Sequence, residues 1–190
     1  MRPQQMPNGC SRLLLALLAS CCPAFAGTIS PNTWYEFGFD PNHSPFVAGC
    51  QPADASGVPC RPGIGTVSLD TPGWTFTSST AVAFTTTDGF LEGDFFDVFD
   101  LGTLIGSTPA VAVSGHSCGL DPLVCVADTQ MSHASFLLPA GSHSITVFAH
   151  SAQILGEGFF EFTAVPEPSS FLPVIGSLVW MWRRKPSTII

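Results

Sequence analysis

Five carboxylates, Asp88, Glu92, Asp94, Asp97 and Asp100, crowd into 13 residues with no lysine or arginine near them in sequence. Oxygen-rich stretches of this kind can serve Ca²⁺, which takes roughly six to eight oxygen ligands. The spacing contains no Asp-x-Asp-x-Asp-Gly series, so it is not an EF-hand, and the competing reading is a solvated acidic edge in which Asp marks turns and strand ends. His116, Cys118, Cys125 and His133 form a second metal-competent set, although Cys-x6-Cys is not the compact spacing of a zinc knuckle. Trp34, Tyr35 and Trp74 offer a stacking platform for sugar rings if they share an exposed face, and core aromatics if they do not. His43, His116, His133, His143 and His150 supply imidazoles, but the chain has no Gly-x-Ser-x-Gly elbow. His143 and His150 have opposite parity along one strand and would not join a single site. These residue types point to no catalytic set, to no enzyme, and to no cofactor beyond Ca²⁺.

The elements that must position them have a period of two. Trp74-Thr75-Phe76-Thr77 and His143-Ser144-Ile145-Thr146-Val147 alternate apolar and polar residues, which predicts half-buried strands. Ala81 to Thr87 is rich in β-branched and aromatic residues and ends at the turn signal Asp88-Gly89. Phe95-Phe96-Asp97-Val98-Phe99 is apolar on both faces, which predicts an interior strand covered on both sides. Phe159 to Ala164 reads as a last strand, and Pro139 to Ser142 as a turn before the His143 strand. No window of about 12 residues carries a helical stripe free of Gly or Pro. The expected fold is all-β: a jelly-roll-like β-sandwich.

Charge narrows the partners. Of six basic residues only Arg61 lies between Gly27 and Val165, against 13 acids, so this stretch carries a net charge of −12 with histidines neutral. Such a surface repels phosphate backbones and anionic headgroups, which excludes nucleic acid. Cations and neutral glycans remain compatible with it. About 139 residues suffice for one domain with a core of its own.

Asp40 to Gly65 holds five prolines with Cys50 and Cys60, and Gly115 to Met131 holds Cys118 and Cys125 around Asp121-Pro122. Both read as long loops that need stapling in a compact domain. Four cysteines allow three pairings. The local one, Cys50 with Cys60 and Cys118 with Cys125, is expected because each pair brackets a proline-containing loop.

The two ends carry the strongest signals. Arg2 and Arg12, the apolar run Leu13 to Ala19 and Ala24-Phe25-Ala26 form a secretory signal peptide over residues 1–26, to be cut by signal peptidase before Gly27. In the same stretch Leu18-Ala19-Ser20-Cys21 resembles the lipobox of bacterial lipoproteins, which would anchor the chain through a lipidated Cys21. At the other end Val165-Pro166-Glu167-Pro168 precedes an apolar run, residues 171–182, a basic cluster Arg183-Arg184-Lys185 and a short tail. Twelve apolar residues make a helix of about 18 Å against a hydrocarbon core of about 30 Å. Such a segment halts translocation and holds the chain in the inner membrane transiently, but is a poor permanent anchor.

This tripartite end, Val165 to Lys185, resembles the PEP-CTERM sorting signal of Gram-negative bacteria, with residues 186–190 extending past the basic cluster. The resemblance implies recognition by an exosortase near Pro166-Glu167-Pro168, a host that makes exopolysaccharide, and delivery to the cell surface, envelope or biofilm matrix. Thr86 to Asp100, taken with Gly141 to Val147, resembles a segment pair recurring in PEP-CTERM and other secreted β-domains. That pair brings no assigned activity. The expected organisation is therefore signal peptide 1–26, β-sandwich domain 27–164 and sorting signal 165–190. The expected role is a non-catalytic surface or matrix protein. The alternatives are a carbohydrate-binding module that contacts exopolysaccharide, and a lipoprotein.

Overall fold

The structure, a computed structural model, describes residues 27–151 and 155–165. The signal peptide, Cys21, Pro166-Glu167-Pro168, the apolar run and the basic cluster lie outside the described residues; of the sorting motif only Val165 is inside.

Twelve strands and one short helix are present among the described residues: β1 Tyr35–Asp40, β2 Ser44–Ala48, β3 Val67–Ser68, β4 Trp74–Ser78, β5 Val82–Asp88, β6 Phe90–Leu91, β7 Phe95–Asp100, β8 Thr103–Ser107, β9 Ser117–Gly119, α1 Pro122–Ala127, β10 His133–Leu138, β11 Gly141–His150 and β12 Gly156–Ala164. Alternation decides which way each strand faces. In β11, His143, Ile145, Val147 and Ala149 point inward and Ser144, Thr146, Phe148 and His150 point outward. In β4 the same rule buries Trp74 and Phe76 and turns Thr75 and Thr77 outward.

The main sheet runs β10-β5-β12-β1-β2-β11-β7-β8, with β3 added on β1 and β4 on β11. All its neighbours are antiparallel except β1 with β3. Because β2 pairs with both β1 and β11, it lets the sheet fold over on itself. The two halves meet through aromatic side chains: Phe37 of β1 packs edge-on against Phe96 of β7 at 5.3 Å between ring centres. Trp74 of β4 lies 5.1 Å from Phe160 of β12, and Phe76 stacks on Phe162 at 4.0 Å. Leaving water stabilises by roughly 2–3 kcal/mol for each of these buried rings. At the far edges β8 approaches β10 closely, since a Cβ on Gly106 would lie 2.5 Å from the Phe136 ring. The result is an all-β sandwich that verges on a barrel.

Three expectations change on contact with the fold. The segment Phe95 to Phe99 is flanked on both sides by strands, but only Phe96 and Val98 are buried; Phe95, Asp97 and Phe99 face outward and are partly exposed. The stretch Asp40 to Gly65 is not all loop, since β2 occupies Ser44–Ala48 despite Pro45. Likewise Gly115 to Met131 contains β9 and α1. The helix has a sequence signature: Asp121 caps it by accepting from the Leu123 amide at 3.0 Å, and Pro122 sits at its first turn, where a missing N–H does no harm.

Candidate functional site

The disulfides join Cys50 to Cys60 and Cys118 to Cys125, which is the local pairing of the three. The first closes a loop laid over β1, where a Cβ on Gly38 would meet Val58 at 2.0 Å and the Cys60 sulfur at 2.9 Å. The second packs with Met131 and Phe159, and Trp34 leans on that cluster half-buried. With Cys118 and Cys125 oxidised to each other, neither supplies a thiolate, so the metal set with His116 and His133 is not formed.

The five clustered carboxylates do not converge. Asp88 and Asp94 sit together in the interior, where the Asp94 amide donates to Asp88 at 3.1 Å. Burial, reinforced by the nearby Asp94 charge, pushes the Asp88 carboxyl up to about 9. Glu92 turns away and accepts from the backbone amides of Ser114 and His116, the latter at 2.9 Å. Burial alone would raise its carboxyl, but these amides outweigh it and hold it below the ordinary value. Asp97 lies on the outer face with His150 and Ser107, and Asp100 binds the buried ring of His143. Among the described residues no group of three or more His, Cys, Asp or Glu side chains is arranged to hold a metal ion. The stretch therefore supplies separate struts, and not one oxygen cage.

Buried acids elsewhere do the same work. Asp54 accepts from the Gly49 amide at 3.0 Å, the Ser56 amide at 2.9 Å and the Ser56 hydroxyl at 2.7 Å. Glu36 accepts from the Gly63 amide and the Thr66 hydroxyl, both at 2.7 Å. Loop amides have no ladder partner, and a carboxylate satisfies several of them at once. This explains how a domain with one basic residue accommodates 13 acids.

All five histidine rings are engaged in the same way. His43 pairs with Asp40, His116 with Asp128 at 2.6 Å, His143 with Asp100 at 2.7 Å and His150 with Asp97 at 2.9 Å. His133 bonds the Met131 carbonyl at 3.0 Å. The other nitrogen of His143 faces the Pro139 carbonyl at 3.0 Å, and its ring stacks on Phe76. An imidazole held between a carboxylate and a carbonyl orients a hairpin; it has no lone pair aimed at a nucleophile.

A cavity of about 310 Å³ opens between the Cys50–Cys60 loop and the start of β12. Arg61, Phe90, Asp94, Leu155 and Glu157 line it, with the Arg61 guanidinium 4.1 Å above the Phe90 ring. Phe90 holds a left-handed backbone (φ +63°), an uncommon conformation for an aromatic residue. The Glu157 carboxyl is raised, first by burial and then by Glu36, against the opposing Arg61 amide and guanidinium. This cavity combines one cation, two acids and an aromatic ring.

The proposed sugar platform is placed elsewhere by the fold. Trp74 is 0 % and Tyr35 7 % exposed, both in the main core, so neither presents a ring to solvent, and Trp34 lies apart from them. Inward parity on β4 and β1 is the reason. The outward aromatics on one face of the main sheet are phenylalanines: Phe46 on β2, which is exposed, and Phe148 on β11 and Phe95 and Phe99 on β7, which are partly exposed. Their signal was present in the odd-numbered positions of Phe95 to Phe99, which sequence reasoning assigned to a second buried face.

These features define a disulfide-braced all-β domain in which several carboxylates and the histidines hold loops and hairpins. No family model matches the chain, and no curated protein matches it. Among solved structures it is similar to the pre-peptidase C-terminal domain of a collagenase from Bacillus anthracis, with a TM-score of 0.36 and 10% identity over 73% of this chain and 94% of that one.

Proposed function

We propose that this chain is an exported, non-catalytic surface or matrix protein of an exopolysaccharide-producing bacterium, sorted through its C-terminal end by an exosortase. The observation that carries the reading is the pair of local disulfides in a domain whose last strand, β12, ends at Ala164, directly before the sorting motif begins at Val165. Disulfides persist in oxidising compartments outside the cytoplasm. Cleavage near Pro166–Pro168 would leave every strand of the sandwich intact. The engagement of both ring nitrogens of His143, by Asp100 and by the Pro139 carbonyl, supports a structural role for that buried ring. The antiparallel pairing of the large sheet supports the finer jelly-roll-like assignment as part of the same reading.

The intact mass of the mature protein from its own host tests this. The expected product runs from Gly27 to a residue near Pro166–Pro168 and is four hydrogens lighter than its reduced form. A lipid-bearing product that starts at Cys21 and keeps residues 171–190 would make the chain a lipoprotein and remove the sorting reading.

A further inference from the structure

On β7 the outward residues are Phe95, Asp97 and Phe99, and on its neighbour β11 they are Thr146, Phe148 and His150. Register places His150 beside Phe95, Phe148 beside Asp97 and Thr146 beside Phe99. Phe46 of β2 joins the middle row next to Phe148, and Leu104 of β8 extends the row of Phe99. Rings and hydrogen-bonding groups thus alternate across one sheet face. The rings form a chain of contacts: Phe46 to Phe148 at 5.4 Å, Phe148 to His150 at 4.9 Å, and His150 stacked on Phe95 at 4.4 Å. Phe46 is 51% and Leu104 52% exposed, so the outermost members stand in water. Four residue steps along β7 and the three strand spacings from β2 to β8 give a patch of about 13 by 14 Å.

We propose that this face binds an uncharged polysaccharide chain. The chemistry is complementary: sugar C–H faces lie on aromatic rings, and sugar hydroxyls reach the acceptors and hydroxyls set between them. Asp97 is held ready for this, with one oxygen bonded by Ser107 and the other by His150 at 2.9 Å, which keeps its carboxyl below the ordinary value. Charge selects the occupant. The patch carries Asp97, paired with His150, and no lysine or arginine, and the only lysine or arginine among the described residues, Arg61, lies over Phe90 at the cavity. Uronate-, phosphate- or sulfate-bearing polymers meet a negative field there. A second copy of the chain meets the same field, since two domains of charge −12 repel one another. An uncharged polymer escapes both penalties.

This inference does not rest on the sorting reading, and its test uses the purified full chain whatever its route of export. Native gels cast with hydroxyethylcellulose, galactomannan or dextran should retard the protein in at least one case, equally at low and high salt, while alginate should not. Phe46→Ala and Phe148→Ala should each weaken retention by about tenfold. Trp34→Ala, remote from the face, should leave it unchanged. Both Phe positions are partly exposed, and near-ultraviolet circular dichroism checks that the variants remain folded. The proposal is overturned by absence of retardation in all three uncharged polymers, by retardation in alginate, or by retention indifferent to both Phe substitutions. Sedimentation showing a dimer that Phe46→Ala dissolves would assign the face to a second copy and overturn it equally.

Discussion

The Asp88→Asn substitution should reverse its effect on stability with pH. In the unfolded chain Asp88 loses its proton near 3.8, and in the folded protein near 9, because the site is buried and Asp94 is beside it. Between those values the native state holds a proton that the unfolded state has released. Each unit rise in pH therefore favours unfolding, by about 1.4 kcal/mol for one group. From pH 5 to pH 8 the wild type should lose roughly 3–4 kcal/mol from this source. Asn is neutral throughout and has no such slope. It keeps one acceptor for the Gly89 amide (2.9 Å) or the Asp94 amide (3.1 Å) and turns a donor toward the other. That mismatch should cost about 1–2 kcal/mol at every pH. The variant should be about as stable as the wild type near pH 5, where the two effects cancel, and clearly the more stable protein at pH 8, with the order reversing only below about pH 5. Urea unfolding of both proteins at pH 5, 6, 7 and 8, at constant ionic strength, reads the difference directly. Glu157 and Glu161, also raised by burial, contribute equally to both and cancel. Parallel pH profiles would refute the assignment of the buried proton to Asp88. Asp94→Asn should shorten the window from its upper end by removing the neighbouring charge.

Opening the Cys50–Cys60 bond with the double Cys→Ser variant should lower stability by roughly 2–3 kcal/mol, the chain-entropy value for a loop of that size, as measured by urea unfolding. Leu101 and Gly102 form the turn between β7 and β8 with φ of 49° and 78°, a left-handed pair that favours Asn-Gly. Leu101→Asn should raise the thermal midpoint, with a gain of about 1 kcal/mol, and an unchanged midpoint would contradict strain at this turn. Trp74→Ala should cost about 3–5 kcal/mol or prevent folding, whereas Trp34→Ala should cost clearly less, and equal losses would contradict their different burial.

The sequence alone marked five of the twelve described strands, β4, β5, β7, β11 and β12. Trp74 to Thr77, Ala81 to Thr87, His143 to Val147 and Phe159 to Ala164 all lie in strands or abut them, because a two-residue period is set locally by the pleat. It also made the local cysteine pairing the expected one of three, and that pairing is the one formed. Only tertiary structure decided what covers each strand's second face. The outward positions of β7 look as apolar as the inward ones, and nothing within Phe95 to Phe99 says that no layer lies above it. The fate of the carboxylates was equally non-local. Glu92, Asp94, Asp97 and Asp100 are neighbours in sequence, yet their partners come from Ser114, Ser151, His150 and His143. Which of them is buried beside another charge, and which stands among exposed rings, depends on contacts that exist only once the sheet has folded over on itself.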